Sequence, residues 1–257
     1  YEMIDDSTWE FKLRDDVTWH NGDPFTAADV KYTYERAATD ESLAENHIFK
    51  VIKEVQIIDD YTVRFATDGP YPTLLSLLSK NGSQVMPSKY IEENGLDYYL
   101  EHPIGCGPYQ FKEWVKDNVV VLERYDDYFG GTPYWDEVRF RAIPEASTRV
   151  AELLTGNVDI IVNVPTNEWD RINTEENTEM VLGNGTRIYN VIMKWNTSPT
   201  QNKQVREAVA YAIDAQTIID TVLKGAGTPC YTRIAPGVFG QDKSLYNINK
   251  YDPDKAK

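Results

Sequence analysis

The run "WEFKLRDDVTWHNGDPFTAADVKYTYERA", from Trp9 to Ala37, specifies a strand, a tight turn and a capped helix in immediate succession. Trp9, Phe11 and Leu13 alternate with Glu10 and Lys12, the two-residue period of a half-buried strand. Asn21-Gly22 tolerates positive φ and Pro24 fixes its own φ near the turn value, so "HNGDPF" ends the strand. Thr26 stands three residues before Asp29, the spacing of a capping box. Val30, Tyr34 and Ala37 then recur at helical spacing along one apolar face. This local chemistry predicts fold and carries no reaction.

The same reading extends along the chain. Val55 and Ile57 face Val63 and Phe65 across "DDY" as a β-hairpin, and "TLLSLLSK" reads as a helix stopped by Asn81-Gly82. "PSKYIEENG" is a short helix that Gly95 ends, which completes a mixed α+β unit. "IGCGPY" interrupts the pattern, since Gly105 and Gly107 bracket Cys106 and Pro108 stiffens the backbone after them. Composition and periodicity change there, so the segment is expected to be a crossing between domains. Beyond it, "YQFKEW" and "NVVVLER" pair as strands across Lys116-Asp117, and "EVRFRAI" adds a third. The helix "ASTRVAELLTG" comes next, stopped at Gly156. "DIIVNV" is continuously apolar and is expected to be a buried strand that closes a βαβ unit. "RIYNVIMKW", apolar on both faces, is expected to be a central strand. "VREAVAYAI" and "TIIDTVLKG" read as helices, the second capped by Asp214 and favoured by Lys224 at its C-terminal end.

Composition narrows the function. The formal charge is −15, from 41 acidic against 26 basic residues. A phosphate backbone or an anionic lipid surface needs the opposite sign, so nucleic-acid and membrane-surface binding are disfavoured. No apolar run approaches membrane-spanning length. The 17 Tyr and 6 Trp suit a core, and equally a cleft that grips varied ligands with rigid rings. Cys106 and Cys230 are expected to be free thiols. Tyr1 is not an initiator, and "YDPDKAK" begins a helix with Asp252 as N-cap and Pro253 at N1. The chain therefore reads as a fragment cut inside a helix.

A reaction centre is hard to assemble from these residues. His20, His47 and His102 have no partner at metal-ligand spacing. No G-x-S-x-G elbow surrounds a serine, and Cys106 has no base identifiable from sequence. "GNGTR" at Gly183 is too short for a phosphate loop and opens a strand where such a loop needs a helix. Carboxylate pairs such as Asp59/Asp60 and Asp126/Asp127 keep a secreted glycoside hydrolase as the alternative reading, with solvated turns as the simpler account.

Four long segments, in order, resemble one family. They are the opening run, "IGCGPYQFKEWVKDNVVVLERYDDYFGGTPYWDEVRFRAI" continued by "STRVAELLTGNVDI", then "NKQVREAVAYAIDAQTIIDTVLKGAGTP", and finally "YDPDKAK". Together they resemble the extracellular solute-binding proteins of the oligopeptide/dipeptide/nickel class of ABC importers. The resemblance implies an α/β periplasmic-binding-protein-like lobe accompanied by an extra α+β lobe, with the second ligand-binding lobe and its acidic anchor missing. In that layout Tyr1–Ile104 is the extra lobe, Gly105–Leu223 most of the first ligand-binding lobe, and Lys224–Lys257 a crossing toward the absent lobe. It implies no enzyme and no cofactor. It also implies a monomeric clamp that captures a peptide or related small solute and hands it to a membrane permease, in the periplasm or lipid-anchored outside the cell. The candidate ligand contacts are Tyr189, Asn190, Trp195, Asn196 and Cys106. Cys106 stands where the family usually has a small hydroxyl residue. Gly105, Gly107, Gly225 and Gly227 are the candidate hinges.

Overall fold

In the computed structural model, which describes residues 1–183, 185–247 and 251–257, the alternating opening run is β2 of a four-stranded sheet. β1 (Glu2–Asp5) and β2 (Thr8–Lys12) form a hairpin, and the turn expected at Asn21-Gly22 places Gly22 at φ +86°. α1 (Ala27–Thr39) and the short α2 (Asn46–Phe49) come after it. β3 (Ile52–Asp59) and β4 (Thr62–Thr67) return as the expected hairpin, with Val55 opposite Phe65 and Ile57 opposite Val63. β4 inserts beside β2, giving the antiparallel order β1-β2-β4-β3. α1 lays Val30 and Tyr34 onto this sheet, where they bury with Trp9, Phe49, Val55, Val63 and Phe65. Full burial of each such side chain contributes about 1.5–3 kcal/mol. The Tyr34 ring meets Phe65 edge-on at 5.1 Å, and its hydroxyl donates to the Ser83 carbonyl at 2.8 Å. Burial pushes that phenol up to about 12, so it remains a neutral donor.

α3 (Leu74–Leu78), α4 (Ser88–Asn94) and α5 (Leu96–Glu101) come next, with Gly95 at φ +90° making the corner between the last two. β5 (Tyr109–Val115), β6 (Val119–Arg124) and β7 (Glu137–Arg141) form a second antiparallel sheet in that order. The turn predicted at Lys116-Asp117 bends through Asp117, whose φ is +59°.

The chain divides into two compact units, Tyr1–Ala142 and Ile143–Lys257. This division lies beyond the crossing expected at Gly105, and side-chain chemistry accounts for the difference. His20 bonds to both Gly105 and Gly107, and Tyr125 bonds to Thr18 and to the Trp19 carbonyl, so the second sheet is fastened to the first unit.

In the second unit α6 (Ala146–Leu154) starts on a Glu145 cap that accepts from the Thr148 amide at 2.8 Å, and it ends before Gly156 at φ +72°. α7 (Trp169–Thr174) contributes the buried Ile172. α8 (Lys203–Ala212) and α9 (Ala215–Thr221) form where expected, and Asp214 caps α9 by accepting from the Thr217 amide at 3.0 Å. α10 (Pro253–Ala256) has the expected Asp252 cap and packs on α8, with Lys255 Nζ 2.6 Å from the Tyr211 hydroxyl. Two expectations fail here. "DIIVNV" and "RIYNVIMKW" form no strands, and Ile160 and Ile192 are 82% and 78% exposed. A strand needs a neighbour for its backbone N–H and C=O groups, and among the described residues neither segment has a ladder partner. The βαβ unit is therefore not closed. Asn184, in the glycine-rich stretch before the second segment, lies outside the described residues.

Asp29 is 3% exposed and accepts from Trp19 Nε1, the Thr26 amide, and the amide and hydroxyl of Ser88. Asp29→Ala leaves these donors unsatisfied and is expected to cost at least about 3 kcal/mol, read as a lower urea midpoint by tryptophan fluorescence. Asp29→Asn keeps the shape and some acceptors, and its midpoint should fall between the two.

Candidate functional site

Tyr189 and Asn190 lie in an irregular stretch of the second unit, and Trp195 and Asn196 in the turn that follows it. Tyr189 is 84% and Trp195 76% exposed, and the Arg187 guanidinium lies 5.1 Å from the Tyr189 ring centre. Exposed aromatic faces offer stacking area at low entropic cost, because each ring is fixed by two torsions. The polar residues beyond them enter a turn that is tied down locally. Thr200 donates to the Lys194 carbonyl, and Gln201 Nε2 donates to the Asn196 carbonyl at 3.2 Å.

Cys106 belongs to the first unit, in the Ile104–Pro108 segment. Gly105, Gly107 and His20 line one end of a groove of about 410 Å³ whose walls include Ile104, Phe111, Trp114 and Leu122. The wall on the sheet side is a consequence of register. Phe111 pairs with Leu122 and Trp114 with Val120, which places the four on one face. A second cavity, of about 300 Å³, lies between Trp19, Asp29 and Tyr90, with the Lys89–Asp23 ion pair at 2.6 Å on its lining. Neither cavity is evident from the sequence, because each draws on segments about 80 residues apart.

The candidate hinges differ in kind. Gly225, at φ +84°, requires the left-handed region, and its amide donates to the Ile219 carbonyl at 2.9 Å. Gly227 faces Ile219 at ordinary contact distance, and Gly107 has open space beside it. Gly105 is constrained by a neighbour, since a Cβ there would stand 3.4 Å from His20 Cε1.

The carboxylate pairs serve local structure. Asp59 accepts from the Tyr61 amide at 2.9 Å in the hairpin turn, and Asp126 accepts from Arg124 Nε at 2.7 Å. Among the described residues no group of three His, Cys, Asp or Glu side chains is placed to hold a metal ion, and no helix is long and apolar enough to cross a membrane. Both cysteines are free thiols. Burial pushes the Cys106 thiol above its usual value, with the nearby Asp29 charge acting in the same direction.

The architecture described above recurs in known proteins. Residues 1–257 match the family described as bacterial extracellular solute-binding proteins, family 5, and the chain belongs to that family. It is similar to the glutathione-binding protein GsiB of Salmonella paratyphi A, 28% identical over all of this chain and 50% of that protein. It is also similar to the oligopeptide-binding protein AppA of Bacillus subtilis, 30% identical over 97% of this chain and 47% of that one. Among solved structures, the periplasmic binding protein DppA of Helicobacter pylori in complex with the peptide STSA superposes with a TM-score of 0.78 and 25% identity. That match covers 99% of this chain and 54% of DppA. The chain thus spans about half the length of the curated relatives it matches. Its mixed α/β fold matches about half of the DppA chain.

The elevated Cys106 value carries its own test. Near pH 7 Cys106 should alkylate with iodoacetamide more slowly than a small-molecule thiol, and its rate should still be climbing with pH where that thiol has levelled off. Peptide mapping after timed quenching tracks the site directly.

Proposed function

We propose that the whole protein is the ligand-capturing component of an ABC importer, taking up peptides or a related small solute outside the membrane and delivering them to the permease. The observation that carries this reading is the family match over the entire chain, with relatives named for glutathione and oligopeptide binding. On this reading the protein acts as a monomer without catalysis, in the periplasm or lipid-anchored at the outer face of the membrane. The lobe limits are Tyr1–Ile104, Gly105–Leu223 and Lys224–Lys257, with Gly105/Gly107 and Gly225/Gly227 at the crossings. Tyr189, Asn190, Trp195 and Asn196 are the proposed ligand contacts of the second unit, forming one wall of a ligand cleft, and Cys106 is a separate proposed contact in the first unit. The exposed aromatic rings of that wall support the assignment, because an apolar face with a few polar groups is what a closing clamp presses onto its ligand. The other wall belongs to the length that the relatives have beyond this chain.

Calorimetric titration of the full-length protein and of this 257-residue chain with the peptide STSA and with glutathione tests the reading. Full-length protein should bind one of them without turning it over. The isolated chain, lacking half of the enclosing surface, should bind about 10²-fold more weakly or not at all. Equal affinities would place the whole site on this half. In the full-length protein, Trp195→Ala should weaken binding by about 1–3 kcal/mol. The same change in the isolated chain should shift the denaturation midpoint by no more than about 0.5 kcal/mol, as befits an exposed side chain.

A further inference from the structure

We propose that His20 is a neutral-imidazole latch that fastens the Ile104–Pro108 segment, and with it the second sheet, to the turn before α1, and that protonation of the ring opens one side of the latch. Three hydrogen bonds carry the assignment. The His20 amide donates to the Gly105 carbonyl at 2.8 Å, the Gly105 amide lies 3.1 Å from Nδ1, and Nε2 lies 3.0 Å from the Gly107 carbonyl. A backbone amide only donates and a carbonyl only accepts, so a single arrangement satisfies the ring. Nδ1 is unprotonated and receives the Gly105 N–H, while Nε2–H donates to Gly107. A proton added at Nδ1 would point at the Gly105 N–H, replacing an attraction by two opposed donors. The Gly107 bond survives, so the latch loosens at Gly105 first.

The surroundings favour the neutral ring. Tyr125 stands 4.8 Å from the imidazole, centre to centre, and Ile104, Leu100 and Tyr109 share its groove. The titratable groups on the packed elements are Tyr125 after β6, Tyr109 on β5 and Cys106 in the latched segment. His102, at the end of α5, stacks on Tyr98 instead. Asp23, on the same turn as His20, is bonded to Lys89 and Asn21. Among the described residues, no carboxylate lines the groove or contacts the ring to favour an imidazolium. Burial lowers the proton affinity of His20, partly opposed by the Gly107 carbonyl. The folded value thus lies below the unfolded value of about 6.5, and the unfolded chain takes up the proton first. The latch stabilises fully above about pH 6.5 and is lost as pH falls through the folded value.

The protein holds only 3 histidines, so ¹⁵N labelling at histidine and glycine resolves the question by NMR titration from about pH 8 downward. The expected result is a His20 ring that is protonated at Nε2 alone at high pH and titrates below the ordinary range of about 6.5. The Gly105 amide should shift and lose exchange protection with the same midpoint. In His20→Asn the side-chain oxygen accepts from Gly105 without titrating, and the Gly105 amide should become insensitive to pH over that range. Protonation of Nδ1 at high pH, a His20 midpoint at or above the ordinary value, or a Gly105 amide indifferent to the His20 midpoint would each overturn the proposal. The wild-type titration decides the matter alone if His20→Asn does not fold.

Discussion

One buried carboxylate sets the geometry of the first unit. Asp29 is the third residue of α1, and its two oxygens receive donors from the turn before the helix, from the helix start itself and from the start of α4. A carboxylate removed from water costs several kcal/mol unless its lone pairs are filled, so the fold is stable only when all three segments converge. The position at the helix N-terminus helps, since the helix dipole favours negative charge there. With α1 fixed in this way, Val30 and Tyr34 point onto the sheet, and α4 begins where it can carry the chain toward the second sheet.

Elements governed by neighbours a few residues away were legible in the sequence. The Thr26/Asp29 capping box, the Val55–Phe65 hairpin, the Asp214 cap and the Asp252-Pro253 helix start all rest on interactions within about ten residues, and all are present. Asp29 shows where that reading ends. Its capping role is local, whereas its bond to Ser88 spans 59 residues and has no local signature. His20 looked like an isolated histidine for the same reason, because Gly105 is 85 residues away. Apolar runs such as "DIIVNV" announce that they need cover, and nothing in their periodicity says what provides it.

The candidate site divides along the same line. The sequence pointed to rings near Tyr189 and Trp195, and in the structure those rings are open to solvent. It gave no sign of the two cavities of the first unit, which need β5, β6 and the α4–α5 corner to be assembled. What ties this chain to its relatives is a family match over residues 1–257 at 28–30% identity. Identity at that level carries the fold and leaves the choice of solute open.

The two uncovered runs also bear on how this half behaves when it is handled by itself. Residues 159–164 and 187–195 combine β-branched and aromatic side chains with backbone groups that, among the described residues, no ladder satisfies. Apolar runs of high β propensity with unpaired backbone groups can pair between molecules, the first step toward amyloid-like assembly. The formal charge of −15 works against this by mutual repulsion, a protection that weakens as salt shortens its range. Colloidal behaviour of the isolated chain is therefore a contest between uncovered apolar runs and a strongly anionic surface, and ionic strength decides which prevails.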